Sequence, residues 1–234
     1  TAHDLADPEQ RCRLLLAIAD AQVRSFVVAD ARDTLLEAAN TAREIGDTES
    51  IARAALTMEG VSDHLWDAIG RRLCEEALDG LPDGDSAPRA RVLALRVSLS
   101  SWDEHDDEPR SAQALAMAER VGDRRAIREA LRARQMAMSG PDACHERLAL
   151  GDRMVALGTD SDDDTALWGR LWRFDAFAQL GDLDAAEAEL APIAAAAGPL
   201  RSPLADWHVA RCRAAIAGAR GRLERGVEGL PVGV

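Results

Sequence analysis

Lysine and tyrosine are absent from this chain of 234 residues, and aromatic residues make up only 3% of it. All 28 basic residues are therefore arginines, against 41 aspartates and glutamates, which leaves a formal net charge of -13. A protein that binds nucleic acid neutralises phosphates with a basic surface. Because this chain is acidic overall, we expect it not to bind nucleic acid directly. Without lysine the chain also cannot carry the P-loop signature of nucleotide-binding ATPases.

Long hydrophobic runs are absent too. The best candidate covers residues 193–200, is interrupted by Gly198 and Pro199, and falls short of the roughly 20 apolar residues that a membrane span requires. The amino terminus lacks the charged, apolar and small-residue regions of a secretory signal. We therefore expect no membrane association. Because the first residue is Thr1 rather than methionine, we also expect the chain to be an excerpt of a longer protein.

Cysteines are few and widely spaced. None of the four belongs to a Cys-x-x-Cys pair, which favours reduced, buried thiols in a cytoplasmic protein over a disulfide framework or a zinc site. The five histidines also lack the spacing of metal ligands such as His-Glu-x-x-His. The sequence thus predicts neither a metal site nor a cofactor. The cysteines are Cys12, Cys74, Cys144 and Cys212.

Helix-forming residues are abundant, chiefly alanine, leucine, arginine and glutamate. Apolar residues recur at intervals of three and four, as in the stripe formed by Leu167, Leu171, Phe174 and Ala178. No stretch shows the sustained alternation and β-branched residues of a strand. These patterns predict an all-α fold.

A repeat organises the predicted helices. Glycines follow apolar helix ends at Gly46, Gly84, Gly122, Gly158 and Gly198, with spacings of 38, 38, 36 and 40 residues. Glycine ends helices well because it reaches the left-handed conformation without steric cost. Each interval holds two helical stretches, and a hairpin that cannot bury its apolar face alone must stack on its neighbours. We therefore predict an α-solenoid of five to six antiparallel helix-turn-helix repeats in one domain, residues 1–234. The predicted hairpins are residues 8–46, 47–84, 85–122, 123–158, 159–198 and 199–234.

Two places interrupt the predicted helices. Pro192 should kink the helix predicted over residues 183–197, or end its regular hydrogen bonding near Ala191. Residues 222–234 contain three glycines and a proline, so we expect no full closing helix there. The predicted solenoid is therefore open at its carboxyl end.

Several phrases resemble a known family. Residues 181–190 (GDLDAAEAEL) resemble the turn and second helix of a tetratricopeptide repeat. The order of longer phrases along the chain resembles the tetratricopeptide-like region of large ATP-binding bacterial transcriptional regulators of the LuxR type (the LAL or STAND class). The resemblance implies a sensor or scaffold arm in a cytoplasmic regulator whose ATPase and DNA-binding domains lie outside this chain. The phrases are RCRLLLA (11–17), TLLEAA (34–39), EALDGLP (76–82), PRARVLA (88–94), LWGRLWR (167–173) and LRSPLADWH (200–208).

An acidic run at residues 160–164 precedes a helix predicted to begin near Thr165. Its Asp-x-Asp-Asp pattern, followed by Thr-Ala, resembles the acid motif of class II terpene cyclases, which need a carboxylic acid kept protonated in an apolar cavity. Aspartates also suit the start of a helix, where they cap free amides and complement the dipole. We favour the cap, and keep a small all-helical cyclase-like enzyme acting through Asp162 or Asp163 as the enzymatic alternative.

Four residues mark a candidate binding surface. Trp168 and Trp207 lie 10 and 9 residues after the glycines that precede them, at near-equivalent places in successive repeats, and Trp172 and Arg211 lie one turn further on. The family resemblance implies that first helices line the concave face. Trp168, Trp172, Trp207 and Arg211 are therefore a candidate patch for a peptide, a protein partner or a small effector. Packing between repeats is the alternative interpretation.

Together these patterns predict a non-enzymatic helical-repeat module that binds a protein or a small effector on its concave face. A third hypothesis is a self-associating scaffold, because an open solenoid end without a polar cap invites stacking into homo-oligomers.

Overall fold

The computed structural model describes residues 7–57, 64–99, 107–158 and 163–222, and all regular structure in these ranges is helical. The predicted all-α class is confirmed. Short 3-10 turns cover Pro141–Ala143 and Gly198–Leu200. The α-helices are α1 (Pro8–Arg24), α2 (Val28–Ile45), α3 (Thr48–Thr57), α4 (His64–Gly80), α5 (Ala87–Ser98), α6 (Asp107–Val121), α7 (Arg124–Ala137), α8 (Cys144–Gly158), α9 (Thr165–Gln179), α10 (Leu183–Ala188), α11 (Leu190–Ala197) and α12 (Pro203–Ala219).

The chain divides into two compact units, an amino-terminal unit (Thr1–Ala137) and a carboxyl-terminal unit (Met138–Val234). The boundary falls inside the predicted hairpin 123–158. The division into six hairpins of a single domain, with its period of about 38, stays a prediction.

In the amino-terminal unit each helix packs on its chain neighbour, and the odd-numbered helices also contact one another in series, α1 with α3, α3 with α5 and α5 with α7. Alanines let these helices approach closely. The spaces between them are filled by larger side chains that are almost fully buried, among them Leu35, Leu73 and Trp66. The odd-numbered helices therefore share one side of the unit.

Side-chain caps begin several helices. Asp7 accepts a hydrogen bond from the Glu9 backbone N–H at 3.0 Å, just before the proline that opens α1. Asp123 accepts one from the Ala126 N–H at 2.7 Å at the start of α7. These caps satisfy amide groups that the helix itself leaves without a partner.

The glycine interpretation is right at some helix ends and wrong at others. Gly46 and Gly122 have φ of 71° and 72°, as a left-handed helix end requires. Gly198 was expected to do the same, but its φ is -54° and the left-handed residue is Arg201, three positions later. Gly158, the last residue of α8, is required for another reason, because a β-carbon there would collide with the backbone of Ala166.

In the carboxyl-terminal unit, α8 and α9 form the closest pair, and α9 also packs on α10 and α11. The helix predicted over residues 183–197 is interrupted, as expected, but the break lies at Glu189 rather than near Ala191. Pro192 has no backbone N–H to donate to the carbonyl four residues earlier, so the regular helical hydrogen bonding fails on the amino-terminal side of its ring.

Ion pairs join residues about one repeat apart. Separations of 33, 35 and 38 residues recur in the amino-terminal unit, and separations of 35 and 36 in the carboxyl-terminal unit. The exposed pairs among them add little stability, whereas Glu129 of the Arg91–Glu129 pair is buried. Other long-range pairs of the described residues have shorter separations, such as Arg11–Glu37 at 26 residues and Arg173–Asp152 at 21 residues. The pairs about one repeat apart are Arg43–Glu76, Arg120–Asp85, Arg91–Glu129, Arg211–Asp175, Arg220–Asp184 and Arg222–Glu187.

Candidate functional site

The predicted aromatic surface lies in the carboxyl-terminal unit, with Trp168 and Trp172 on α9 and Trp207 and Arg211 on α12. These four residues do not all share one accessible surface. Trp207 is 47% exposed, whereas Trp172 is only 8% exposed and packs in the interior. Trp172 therefore supports the packing interpretation, and Trp207 is the most accessible aromatic of the set.

His208 links the two remaining tryptophans. Its ring meets Trp168 edge-on at 5.2 Å and Trp207 at 4.9 Å between ring centroids. The Trp168 indole N–H donates a hydrogen bond to Asp164 Oδ2 at 2.7 Å, which holds the ring in place. Sequence reasoning missed His208 as a member of this cluster, although its position directly after Trp207 was a signal.

The surroundings of His208 favour its neutral form. Burial lowers the pKa of His208, and the nearby Arg211 guanidinium lowers it further, while Asp175 acts in the opposite direction. The ring nitrogen Nδ1 is buried and makes no hydrogen bond within the described part of the protein. His208 thus contacts both indoles through its ring, in surroundings that disfavour the imidazolium cation.

Arg211 is occupied by the protein itself. Its guanidinium donates to the Asp175 carboxylate at 3.1 Å and 3.5 Å and lies 6.0 Å from the Phe174 ring centroid. Burial alone would lower the pKa of Arg211, but the hydrogen bond and charge of Asp175 outweigh it and raise the pKa. An external anion would have to compete with Asp175 for this cation.

Of the acidic run before α9, the structure describes Asp163 and Asp164, and the side chain of Asp164, the N-cap residue, makes no capping hydrogen bond. Asp163 Oδ1 accepts a hydrogen bond from the Thr165 backbone N–H at 2.9 Å, and its side chain is exposed. An exposed carboxyl lacks the apolar burial that keeps such an acid protonated at neutral pH. Asp162, the other residue of the cyclase hypothesis, lies outside the described residues.

The most distinctive site lies in the amino-terminal unit and was not predicted. A cavity of about 520 Å³ is walled by four successive odd-numbered helices, α1, α3, α5 and α7. Leu16, Ala17 and Leu56 form its apolar part. We call it the arginine groove, because its charged lining consists of Arg53, Arg91, Arg125, Arg128, Arg132 and a single acid, Asp20.

Other cavities of the same unit have a different charge balance. One cavity has a volume of about 480 Å³ and another a volume of about 410 Å³, and the charged lining of each consists of two arginines and three acids. In a chain with 41 acids and 28 arginines this is the expected mixture. The arginine groove departs from it strongly, so its charge is a local property rather than a reflection of composition.

A buried carboxylate holds two of the groove arginines. Glu129 is only 4% exposed, and it accepts hydrogen bonds from the Nε–H of Arg91 at 2.6 Å and of Arg125 at 2.8 Å. Arg91 comes from α5 and Arg125 from α7, so this carboxylate ties the two helices together. Fixed guanidiniums lose less entropy when they bind an anion than mobile ones do.

Helix α7 carries three of the groove arginines. Arg125, Arg128 and Arg132 lie at i, i+3 and i+7, so like charges lie close together on one helix face, and Glu129, at i+4, pairs with Arg125. Arg125 also sits in the first turn, where the helix dipole disfavours a cation. Local rules that a sequence breaks in this way tend to mark functional sites. This spacing was the signal in the sequence that could have located the groove.

Within the described ranges, no group of three or more histidine, cysteine, aspartate or glutamate side chains is placed to hold a metal ion. In the same ranges, no helix combines the length and apolar character needed to cross a bilayer. No protein-family model matches the chain, and no curated protein is significantly similar to it.

Proposed function

We propose that this chain is a non-enzymatic, tetratricopeptide-like helical-repeat module that binds a partner or a small effector along its odd-numbered helices. In this proposal it is the sensing arm of a cytoplasmic bacterial regulator of the LuxR type. The regulator assignment rests on the sequence phrases alone, whereas the binding role also has support from the geometry.

The arginine groove is the observation that carries the binding role. It is formed by α1, α3, α5 and α7, which are the first helices of four predicted hairpins. Its volume of about 520 Å³ lies within the range of small-molecule sites, which is about 300–1,000 Å³. The ion pairs that recur about one repeat apart support a solenoid-like stacking of the hairpins within each unit.

Blocking the groove tests this proposal. Ala17 lines the groove and has an exposed side chain, so Ala17→Trp should fill it without entering the core. Ala116→Trp is the matched control, because Ala116 is exposed on α6 and does not line the groove. The purified chain and both variants are screened by thermal shift against nucleotides, sugar phosphates, organic acids, amino acids and short peptides.

A ligand of this site should raise the unfolding temperature of the wild-type chain and of the control variant Ala116→Trp, but not of Ala17→Trp. If every stabilising compound acts equally on both variants, the groove is not the binding site and the proposal fails. Turnover of any compound would instead favour the enzymatic alternative.

A further inference from the structure

The arginine groove combines an excess of positive charge with a small volume. Five of its lining residues are arginines and one, Asp20, is an acid. Asp20 is itself paired with Arg24, one turn further along α1. The buried Glu129 accepts hydrogen bonds from both Arg91 and Arg125. A lining with five arginines and one acid favours an anionic ligand.

The guanidinium group sets the chemistry of that ligand. Its planar fork of N–H donors matches the paired oxygens of phosphates and carboxylates. The groove arginines come from three different helices, with Arg53 on α3, Arg91 on α5 and the others on α7. Donors on separate walls suit a ligand that presents oxyanions in more than one direction.

Size separates compact ligands from extended ones. The cavity of about 520 Å³ accommodates a small molecule. An extended polyanion would run beyond the groove onto a chain whose net charge is -13, where acids outnumber arginines.

We propose that the arginine groove binds a compact polyanion, a small molecule that carries several phosphate or carboxylate groups. This inference deepens the proposed function, since it specifies the ligand class of the same groove. Phosphorylated metabolites and polycarboxylates share this chemistry, and the arms of the experiment distinguish them.

The test is isothermal titration calorimetry of the whole chain in a phosphate-free buffer at low ionic strength. The probes are sodium tripolyphosphate, citrate, and a hexa-aspartate peptide as an acidic macromolecular mimic. We expect tripolyphosphate or citrate to bind at one site, and the tighter of the two assigns phosphate or carboxylate chemistry. Binding should weaken when potassium chloride is raised from about 0.05 M to about 0.3 M.

Two variants probe groove arginines on different helices. Arg53→Gln on α3 and Arg132→Gln on α7 should each weaken binding by about tenfold or more, because each removes charge-assisted hydrogen bonds. Arg120→Gln is the matched control with the same change of charge, since Arg120 pairs with Asp85 at an exposed site outside the groove. Circular dichroism of each variant confirms that it is folded.

The outcomes separate the two proposals. Failure of both small probes to bind, equal binding by the wild-type chain and the double variant Arg53→Gln/Arg132→Gln, or binding of the hexa-aspartate peptide alone each overturn the compact-polyanion inference. If another compound binds the wild-type chain but not Ala17→Trp, and the polyanions do not bind, this inference fails and the proposed function stands.

Discussion

The contact between α8 and α9 leaves no room for a β-carbon at Gly169. Such an atom would lie 2.6 Å from the Val155 backbone nitrogen and 2.8 Å from the Gly151 carbonyl oxygen. Carbon atoms in good contact lie about 3.5–4.0 Å apart, and a backbone cannot rotate away as the end of a flexible side chain can. Gly169→Ala must therefore push the two helices apart.

Two opposing effects set the size of this change. Replacing glycine by alanine inside a helix stabilises a protein by about 0.5–1 kcal/mol, whereas overpacking a tight contact costs about 1–3 kcal/mol. Because the obstructing atoms are backbone, we expect the cost to exceed the gain. The free energy of unfolding should fall by about 1–2 kcal/mol, and the unfolding temperature by about 2–8 °C.

Gly218→Ala supplies the matched control. Gly218 lies in α12 of the same unit, and a β-carbon there would meet nothing within 4 Å. This variant should gain up to about 1 kcal/mol from the reduced freedom of the unfolded chain. Urea unfolding followed by far-UV circular dichroism measures both. A Gly169→Ala protein at least as stable as the wild type, beside a stabilised Gly218→Ala, would refute the close approach of α8 and α9.

Three further predictions concern other contacts, and urea unfolding tests each of them. Glu129→Leu should lower the free energy of unfolding by about 3 kcal/mol because it removes the buried carboxylate from Arg91. The double variant Arg91→Met/Glu129→Leu should recover most of this loss. An equal loss in the single and the double variant would contradict the prediction. Asp123→Ala should cost about 1 kcal/mol by removing the cap of α7, whereas Asp123→Asn keeps an acceptor and should cost less. Burial raises the pKa of Cys74 to about 12 and of Cys212 to about 11, from 9.0. The unfolded thiols therefore ionise first, so the free energy of unfolding should fall as pH rises above about 9, and Cys74→Ala should flatten that fall.

The fold class was predictable because helical periodicity is a local property of the sequence. The helix ends were harder to predict, since two different constraints both select glycine. Gly46 ends a helix with positive φ, whereas Gly158 is required by the nearby backbone of Ala166. Only the second depends on the neighbouring helix, and a sequence alone cannot distinguish the two.

The candidate sites show the same division between local and distant information. The spacing of Arg125, Arg128 and Arg132 is visible within α7, but Arg53 and Arg91 join them only through the register in which the helices stack. The tryptophans stand out in the sequence instead, because aromatic residues make up only 3% of it. Exposure then separates them, because it depends on which face of α9 or α12 each one occupies.

The acidic composition and the arginine groove favour the same kind of ligand. Charges act over roughly one Debye length, about 10 Å at 0.1 M salt, so an anion held within the groove interacts mainly with the guanidiniums around it. A long polyanion also meets the acids that give the chain its net charge of -13, and is repelled there. The charge balance that argues against nucleic acid is therefore compatible with tight binding of a small anion. A chain that was basic throughout would attract both nucleic acids and small anions, and would distinguish poorly between the two.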